Sequence, residues 1–176
     1  SYNVARKEAF LAISNLNAAF QRLTQDPKSK QRKFQLIYEI VTLNQTMISA
    51  IASIGNFISN HKTTPASIEF NILIKKISNT LQISFDSLEH VQIKKKITEE
   101  TAEDAQEKLM DKYQQLSNLR DKNIDQGNTE LDTETLHALQ EAYLIANHMA
   151  WLKSLSENLK KATERYRYSI INGSCD

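Results

Sequence analysis

Histidines are the residues of this chain best suited to bind metal ions or transfer protons, and it has four of them. His137 and His148 share one predicted helix, where a separation of eleven residues is about 16 Å along the axis, too far for one ion. Carboxylate di-metal bundles need a Glu-x-x-His pair on each of two helices, and the sequence does not supply two. We therefore interpret the histidines as solvated and predict neither a metal site nor a cofactor.

Nucleophilic catalysis has no better candidate. The single cysteine, Cys175, lies in the last residues, where no fixed base can be assigned to it. No serine stands in a Gly-x-Ser-x-Gly elbow, and the isolated glycines form no phosphate-binding loop. The sequence therefore predicts a protein that is not an enzyme. One thiol also cannot form a disulfide framework, which favours a reducing compartment.

Turn-forming residues are scarce, because the 176 residues include only 3 Gly and 2 Pro. A sandwich or barrel needs a turn about every 8–12 residues, so this composition favours long helices. With 40% hydrophobic and 24% charged residues, the chain suits one globular domain. We predict an all-α fold, an antiparallel bundle of about five helices forming a single domain over residues 1–176. Apolar periodicity places these helices near 2–24, 29–60, 65–93, 98–122 and 132–168.

The second predicted helix carries two neighbouring apolar stripes, one from Leu36 to Phe57 and one from Ile37 to Ile58. Its apolar face is wide, so we expect this helix to lie at the centre of the bundle. The stretch over residues 40–60 has no charge and is about long enough to span a membrane. It also contains many hydrogen-bonding side chains, which favours a buried helix of a soluble domain.

The third and fourth predicted helices differ in polarity. The third is expected to begin with Thr64 as its cap and Pro65 at its first position. The fourth is the most polar helix, and we expect it on the outside, followed by an exposed loop over residues 121–132. The inner face of the third helix is predicted from apolar residues at helical spacing: Phe70, Ile74, Ile77, Leu81, Phe85, Leu88 and Val91.

Two amides lie within or beside the apolar stripes, Asn15 in the first helix and Asn44 in the second. A buried amide destabilises a fold unless it is hydrogen-bonded, so each would need a partner. One use of such a residue is to fix the register of neighbouring helices, as a core polar residue does in coiled coils. The alternative, half-exposed amides bonded to water, stays open on the sequence alone.

The charges nearly cancel, with 22 basic and 21 acidic residues and a formal net charge of +1. This balance gives no field that gathers nucleic acid, so we predict no nucleic-acid partner. Basic residues nevertheless cluster at the chain start and around the first turn. They could contact anionic lipid headgroups or another domain, or they could be solvated charges. The residues concerned are Arg6, Lys7, Arg22, Lys28 and Lys30.

The chain begins at Ser1 with a helical pattern and no capping residue ahead of it. No charged-then-apolar leader follows, so we predict no signal peptide. We interpret the chain as a piece of a larger protein whose first helix continues upstream. A short native N-terminus after processing is the alternative.

Four short segments near the start stand out together: ARKEAF at 5–10, NL at 15–16, FQR at 20–22 and DPKSK at 26–30. They resemble a stretch of bacterial inner-membrane proteins of the fusaric-acid-resistance (FUSC) type, in its YccS-like branch. The resemblance covers residues 2–33, and beyond it only the helical pattern and Asn44 agree. Leu23 and Asp26 depart mildly from the methionine and glutamate that are usual in that family.

The resemblance implies that the chain is the C-terminal cytosolic domain of a multi-span inner-membrane protein, a transporter similar to exporters of aromatic carboxylic acids. The domain would be a non-catalytic accessory part, used for assembly or regulation at the cytoplasmic face of the membrane. Its partners would be the transmembrane part of the same polypeptide and, in addition, anionic lipid headgroups. The family supplies no catalytic residues.

Two other functions stay open. A free-standing helical bundle could be a protein–protein interaction module that binds another protein's helix, or a second copy of itself as a homo-oligomer. Such a module would expose an apolar patch. A bundle could also bind a small ligand between its helices, in a pocket lined by Met47, Ile51 or Trp151.

Overall fold

The computed structural model describes residues 2–25, 31–61, 63, 65–89, 99–127 and 133–172. These residues contain helices and no strand, which confirms the predicted all-α bundle. The five helices are α1 (Tyr2–Thr24), α2 (Gln31–Asn60), α3 (Ile68–Leu88), α4 (Glu99–Asp125) and α5 (Thr133–Asn172).

The central helix of the bundle is α5, which has 40 residues and packs against α2, α3 and α4. The expectation that the second helix would be central is wrong, because among the described helices α2 packs against α1 and α5 but not against α3 or α4. Its wide apolar face lies between those two helices. Met47, Ala50 and Ile54 are buried in the core, while Phe34 and Gln45 contact α1. The apolar residues of α2 therefore pack in two directions, into the core on one side and against α1 on the other.

Contacts along α5 give the direction of each neighbour. Glu39 near the start of α2 pairs with Arg165 near the end of α5, so these two helices are antiparallel. Lys76 of α3 pairs with Glu157 at 3.7 Å. Helices α3 and α5 both have their beginnings beside one cavity at the same end of the bundle, so they run parallel. Helices α4 and α5 are antiparallel too, since Gln106 contacts Lys153 and Tyr113 contacts Tyr143.

In α1 and α2, Phe20 contacts Phe34 and Asn17 contacts Gln45, so consecutive helices are antiparallel, as short connections predict.

The main core lies between α2, α3, α4 and α5, and α1 contributes no buried residue to it. Burial of apolar side chains supplies the stabilisation, at about 25 cal/mol per Å² removed from water. The core consists of Met47, Ala50, Ile54, Leu73, Ile77, Ala102, Ala105, Leu109, Ala146, Met149, Leu152 and Leu155.

The start of α3 lies three residues later than expected. Ser67 is the N-cap, and its Oγ accepts a hydrogen bond from the Phe70 backbone N–H at 3.1 Å. Pro65 precedes the helix, so the expectation that it occupies the first helical position is wrong. The predicted cap Thr64 lies outside the described residues, as does Asp132 before α5.

The buried face of α3 also differs from the predicted one. Ile74, Phe85 and Leu88 were predicted on the inner face of this helix, but they are 43%, 51% and 40% exposed. Ile77 of the predicted face is buried, and Phe70 and Leu81 pack against the core as expected. Otherwise the buried stripe lies one residue earlier at each turn, and its second half consists of small polar residues. That stripe is Leu73, Ile77, Thr80, Ser84 and Ser87.

Two of the buried hydroxyl residues of α3 are hydrogen-bonded within the helix itself. Thr80 Oγ1 donates to the Lys76 carbonyl, and Ser84 Oγ donates to the Thr80 carbonyl, both at 2.9 Å. Helix α5 likewise has Ser156 and Thr163 fully buried, with their hydroxyls bonded to carbonyls three residues earlier. Such short side chains allow two helices to lie close together.

Helix α4 extends further than predicted, to Asp125, so the expected exposed loop is shorter at its beginning. Its polarity matches an outer position, since only a narrow stripe of Ala102, Ala105 and Leu109 is buried. Gly127 follows with φ at +81°, a backbone conformation that side chains with a Cβ rarely adopt.

Candidate functional site

The predicted basic residues do not form one cluster on α1. Arg6, Lys7 and Arg22 are all exposed, and Arg22 lies about 24 Å along the axis from Arg6. The Arg6 guanidinium lies 5.7 Å from the centroid of the Phe10 ring, a cation–π contact within the helix. The other two candidates, at positions 28 and 30, lie outside the described residues.

The predicted register amides behave differently from the expectation. Asn15 is exposed, so a buried role there is wrong. Asn44 is half-buried, but its Nδ2 donates to the Ile40 carbonyl at 2.9 Å within its own helix. Two other amides do join two helices: Gln45 Nε2 of α2 donates to Asn17 Oδ1 of α1 at 2.6 Å. Spacing alone could not find this pair, because it depends on the rotation of α1 against α2.

Metal-binding residues are scattered. Glu134 and His137 are the one Glu-x-x-His pair in the sequence, and both are exposed at the start of α5. His148 is half-buried, with its ring centroid 6.1 Å from that of Trp151. Within the part of the chain that the structure describes, no three His, Cys, Asp or Glu side chains group so that they could hold an ion. Cys175 lies outside that part.

The charge-free stretch of α2 over residues 40–60 is about long enough to span a membrane. No described helix, α2 included, has the combined length and hydropathy that crossing a membrane requires.

A cavity of about 260 Å³ lies at the end of the bundle where α2 ends and α3 and α5 begin. We call it the end pocket. All four core helices contribute to its wall, and the connection from α2 to α3 covers one side with Pro65, Ala66 and Ser67. Its apolar wall is formed by Ile58, Phe70, Leu109, Leu116, Ala138, Ala142 and Ile145.

The residues expected to line a ligand pocket do not line this one. Met47 is 3% exposed within the core, while Ile51 and Trp151 are 40% and 46% exposed on the surface. The sequence could have pointed to the end pocket only through Ala138 and Ala142, which place two small side chains one helical turn apart.

Two charged side chains lie at the border of the end pocket, Lys112 from α4 and Glu141 from α5. Glu69, in the first turn of α3, carries further charge nearby. A hydrogen bond from its own backbone N–H holds the pKa of Glu69 below its ordinary value, and the Ser67 hydroxyl acts in the same direction. The positive charges of Lys108 and Lys112 lower it further.

Lys108 belongs to a second exposed pair beside this border. Its Nζ lies 2.8 Å from Asp104 Oδ2, one turn earlier in α4. That hydrogen bond, together with the carboxylate charge, raises the pKa of Lys108. The charges of Lys108 and Lys112 on α4 thus act on Glu69 of α3, and Lys108 is also paired within its own helix.

No family model, curated protein or solved structure matches the chain. The described residues provide an apolar cavity, an outer helix and exposed apolar side chains, which are features of binding.

The outer helix α1 carries apolar residues on two sides. Its inner side, with Leu16 and Phe20, packs on α2, where the Phe20 ring stacks on Phe34 at 5.0 Å. Val4 and Leu11 are 54% and 61% exposed on the opposite side. Ala18 continues the same line at a spacing of seven residues, and Lys7 and Arg22 flank it. We call these five residues, Val4, Lys7, Leu11, Ala18 and Arg22, the outer face of α1.

Proposed function

We propose that this chain is a non-catalytic accessory domain of a multi-span inner-membrane transporter similar to the FUSC type, acting in assembly or regulation at the cytoplasmic face. Exporters of aromatic carboxylic acids are the transporters that the resemblance suggests. The transmembrane part of the same polypeptide would be the principal partner.

The observation that carries this proposal is the outer face of α1. A helix of 23 residues without one buried residue gains little from its present contacts. Its exposed apolar line, flanked by Lys7 and Arg22, suits contact with a second body that is apolar at its centre and acidic at its border. The segments that resemble the transporter family lie on this same helix and the residues that follow it.

Reading the gene upstream of Ser1 is the first test. The proposal expects transmembrane spans that end shortly before this helix, with Lys and Arg enriched at the cytoplasmic side. A reading frame without such spans would contradict it.

The second test uses the full-length protein in its own membrane. Leu11→Asp places a charge in the centre of the outer face, where desolvating it is unfavourable. We expect it to reduce assembled transporter on native gels and to leave the helix content of the isolated domain unchanged. Tyr168→Asp, at a side chain of α5 that is 69% exposed, is the matched control. Equal behaviour of the two variants would contradict a docking role for α1.

A second candidate, a free-standing interaction module, is favoured by the exposed stripe of α3. Ile74, Phe85 and Leu88 lie at helical spacing, as in helices that bind a partner helix. This candidate expects no upstream spans, and it expects homo-oligomers or captured partners that Phe85→Asp disrupts. If the wild type and Phe85→Asp both have the solution mass of one chain, that would count against self-association.

A further inference from the structure

We propose that the end pocket binds a small, uncharged and mostly apolar molecule, about the size of one substituted ring. This inference is independent of any transport role, because it rests only on the shape and chemistry of the cavity.

The volume sets the size of the ligand. An engineered apolar cavity of about 150 Å³ is enough for benzene, whereas sites for drug-sized ligands start at about 300 Å³. The end pocket, at about 260 Å³, lies between these values. One ring with a short substituent therefore fits, and a fused polycyclic ligand does not.

The wall sets the polarity of the ligand. Phe70 from α3, Leu109 from α4 and Ile145 from α5 present carbon to the cavity from three sides. Two hydroxyl residues also line it, Ser67, whose Oγ accepts the bond that caps α3, and Thr63 in the connection from α2 to α3. A water molecule needs about two to four polar partners, and this wall offers few. An apolar ligand is therefore favoured over water.

The border sets the charge of the ligand. Lys112 and Glu141 carry opposite charges there, and the Lys112 charge already interacts with Glu69. A charged ligand would lose hydration on entering and would find one attractive and one repulsive side chain. The pocket therefore favours a neutral molecule over both an anion and a cation of the same shape.

Small residues create the cavity. Ala138 and Ala142 lie one turn apart on α5 and face space that larger side chains would fill. Interiors are normally close-packed, and an empty apolar space forfeits dispersion contacts. A leucine at position 142 should consequently occupy the ligand's place without disturbing the fold.

The experiment is a titration of the chain followed by ¹³C-methyl NMR, with three one-ring probes. Toluene is neutral, benzoate is its anionic analogue and benzylammonium is its cationic analogue. We expect toluene to give saturable shifts at the methyls of Ala138, Ala142 and Ile145, with a dissociation constant of about 1 mM or below. Benzoate and benzylammonium should each bind at least about 5-fold more weakly.

Two substitutions test the location. Ala142→Leu should abolish the toluene shifts, whereas Ala150→Leu, at a half-buried alanine of α5 outside the wall, should leave them unchanged. Helix content and the urea midpoint check that each variant folds. If Ala142→Leu does not fold, Ala138→Leu serves in its place.

Several outcomes would overturn the inference. Toluene shifts that do not saturate, or that spread over the whole surface, would show that no cavity site exists. Retained toluene binding in the folded Ala142→Leu variant would place the ligand elsewhere. Tighter binding of benzoate or benzylammonium than of toluene would mean that the border selects a charged ligand, contrary to the proposal.

Discussion

Helices α5 and α1 have opposite positions in the molecule. Helix α5 contacts three neighbours, and its Met149, Ser156 and Ala162 are completely buried. Of the described helices, α1 contacts α2 alone, and it has no buried residue. Stability therefore resides around α5, while α1 is attached through half-buried side chains and a few polar contacts.

This difference matters for function, because regions with few buried contacts open at low free-energy cost. Helix α1 should therefore separate from α2 at a lower free-energy cost than α5 separates from its neighbours. Such a helix suits contact with a second protein body, whereas α5 suits the role of a scaffold.

The largest effect is expected from removing a side chain at the centre of α5. Met149→Ala leaves a cavity among four helices, so the free energy of unfolding should fall by about 2–5 kcal/mol. Leu16→Ala on α1 removes a half-buried side chain and should cost about 1 kcal/mol or less. Urea unfolding followed by circular dichroism measures both. Equal losses would mean that α1 belongs to the cooperative core and would break the comparison.

The helices themselves were predictable because their causes are local. Scarce Gly and Pro, together with apolar residues at helical spacing, indicated five helices with bounds close to those observed. The packing partner of each face was less predictable, because it depends on neighbours. In α3 the large residues Ile74 and Phe85 favoured one face, yet the small residues beside Ser84 allow closer packing.

The candidate site was less predictable than the helices. A pocket forms where side chains are too small to fill the space between helices, here at Ala138 and Ala142. Alanine is equally common in tightly packed helices, as Ala146 and Ala162 show in the same α5. Only the arrangement of four helices distinguishes an alanine beside a cavity from an alanine beside a neighbour.

Gly55 of α2 lies against the first residue of α1, so a substitution there tests how firmly α1 is held. A Cβ built on Gly55 would meet the hydroxyl of Tyr2, the far end of a flexible side chain on α1. Gly55→Ala should therefore raise the free energy of unfolding by about 0.5–1 kcal/mol through helix propensity, while the first turn of α1 loosens. Hydrogen exchange in residues 3–8 would report that loosening.

Gly127→Ala is the matched control for this glycine. Its φ of +81° is unfavourable for alanine, so this variant should lose about 1 kcal/mol. If Gly55→Ala also destabilises the bundle, then Tyr2 and α1 are held more firmly than the comparison allows.

A smaller effect is expected at the buried hydroxyl of Ser87. Its Oγ has no hydrogen-bond partner among the residues that the structure describes, although Ser87 is only 1% exposed. Ser87→Ala removes an unpaired polar group and should change the free energy of unfolding by between zero and about +1 kcal/mol. Ser84→Ala, which loses the bond to the Thr80 carbonyl, should instead cost about 0.5–1 kcal/mol. Urea midpoints of the two variants that shift in the same direction would contradict this.

The smallest effect concerns Glu69, at the exposed start of α3. Because folding lowers its pKa, its contribution to stability is present above its unfolded pKa of about 4.5 and is lost as the pH falls through the lower folded value. The wild type should therefore lose stability between about pH 5 and pH 3 slightly more steeply than Glu69→Gln. Thermal midpoints across that range measure the difference, with Glu103→Gln on α4 as the control for losing one exposed carboxylate. Solvent screens this surface carboxylate, so the stability difference between wild type and Glu69→Gln should be small. A difference as large as that of Met149→Ala would contradict the comparison, because the first turn of α3 would then contribute as much as the α5 core.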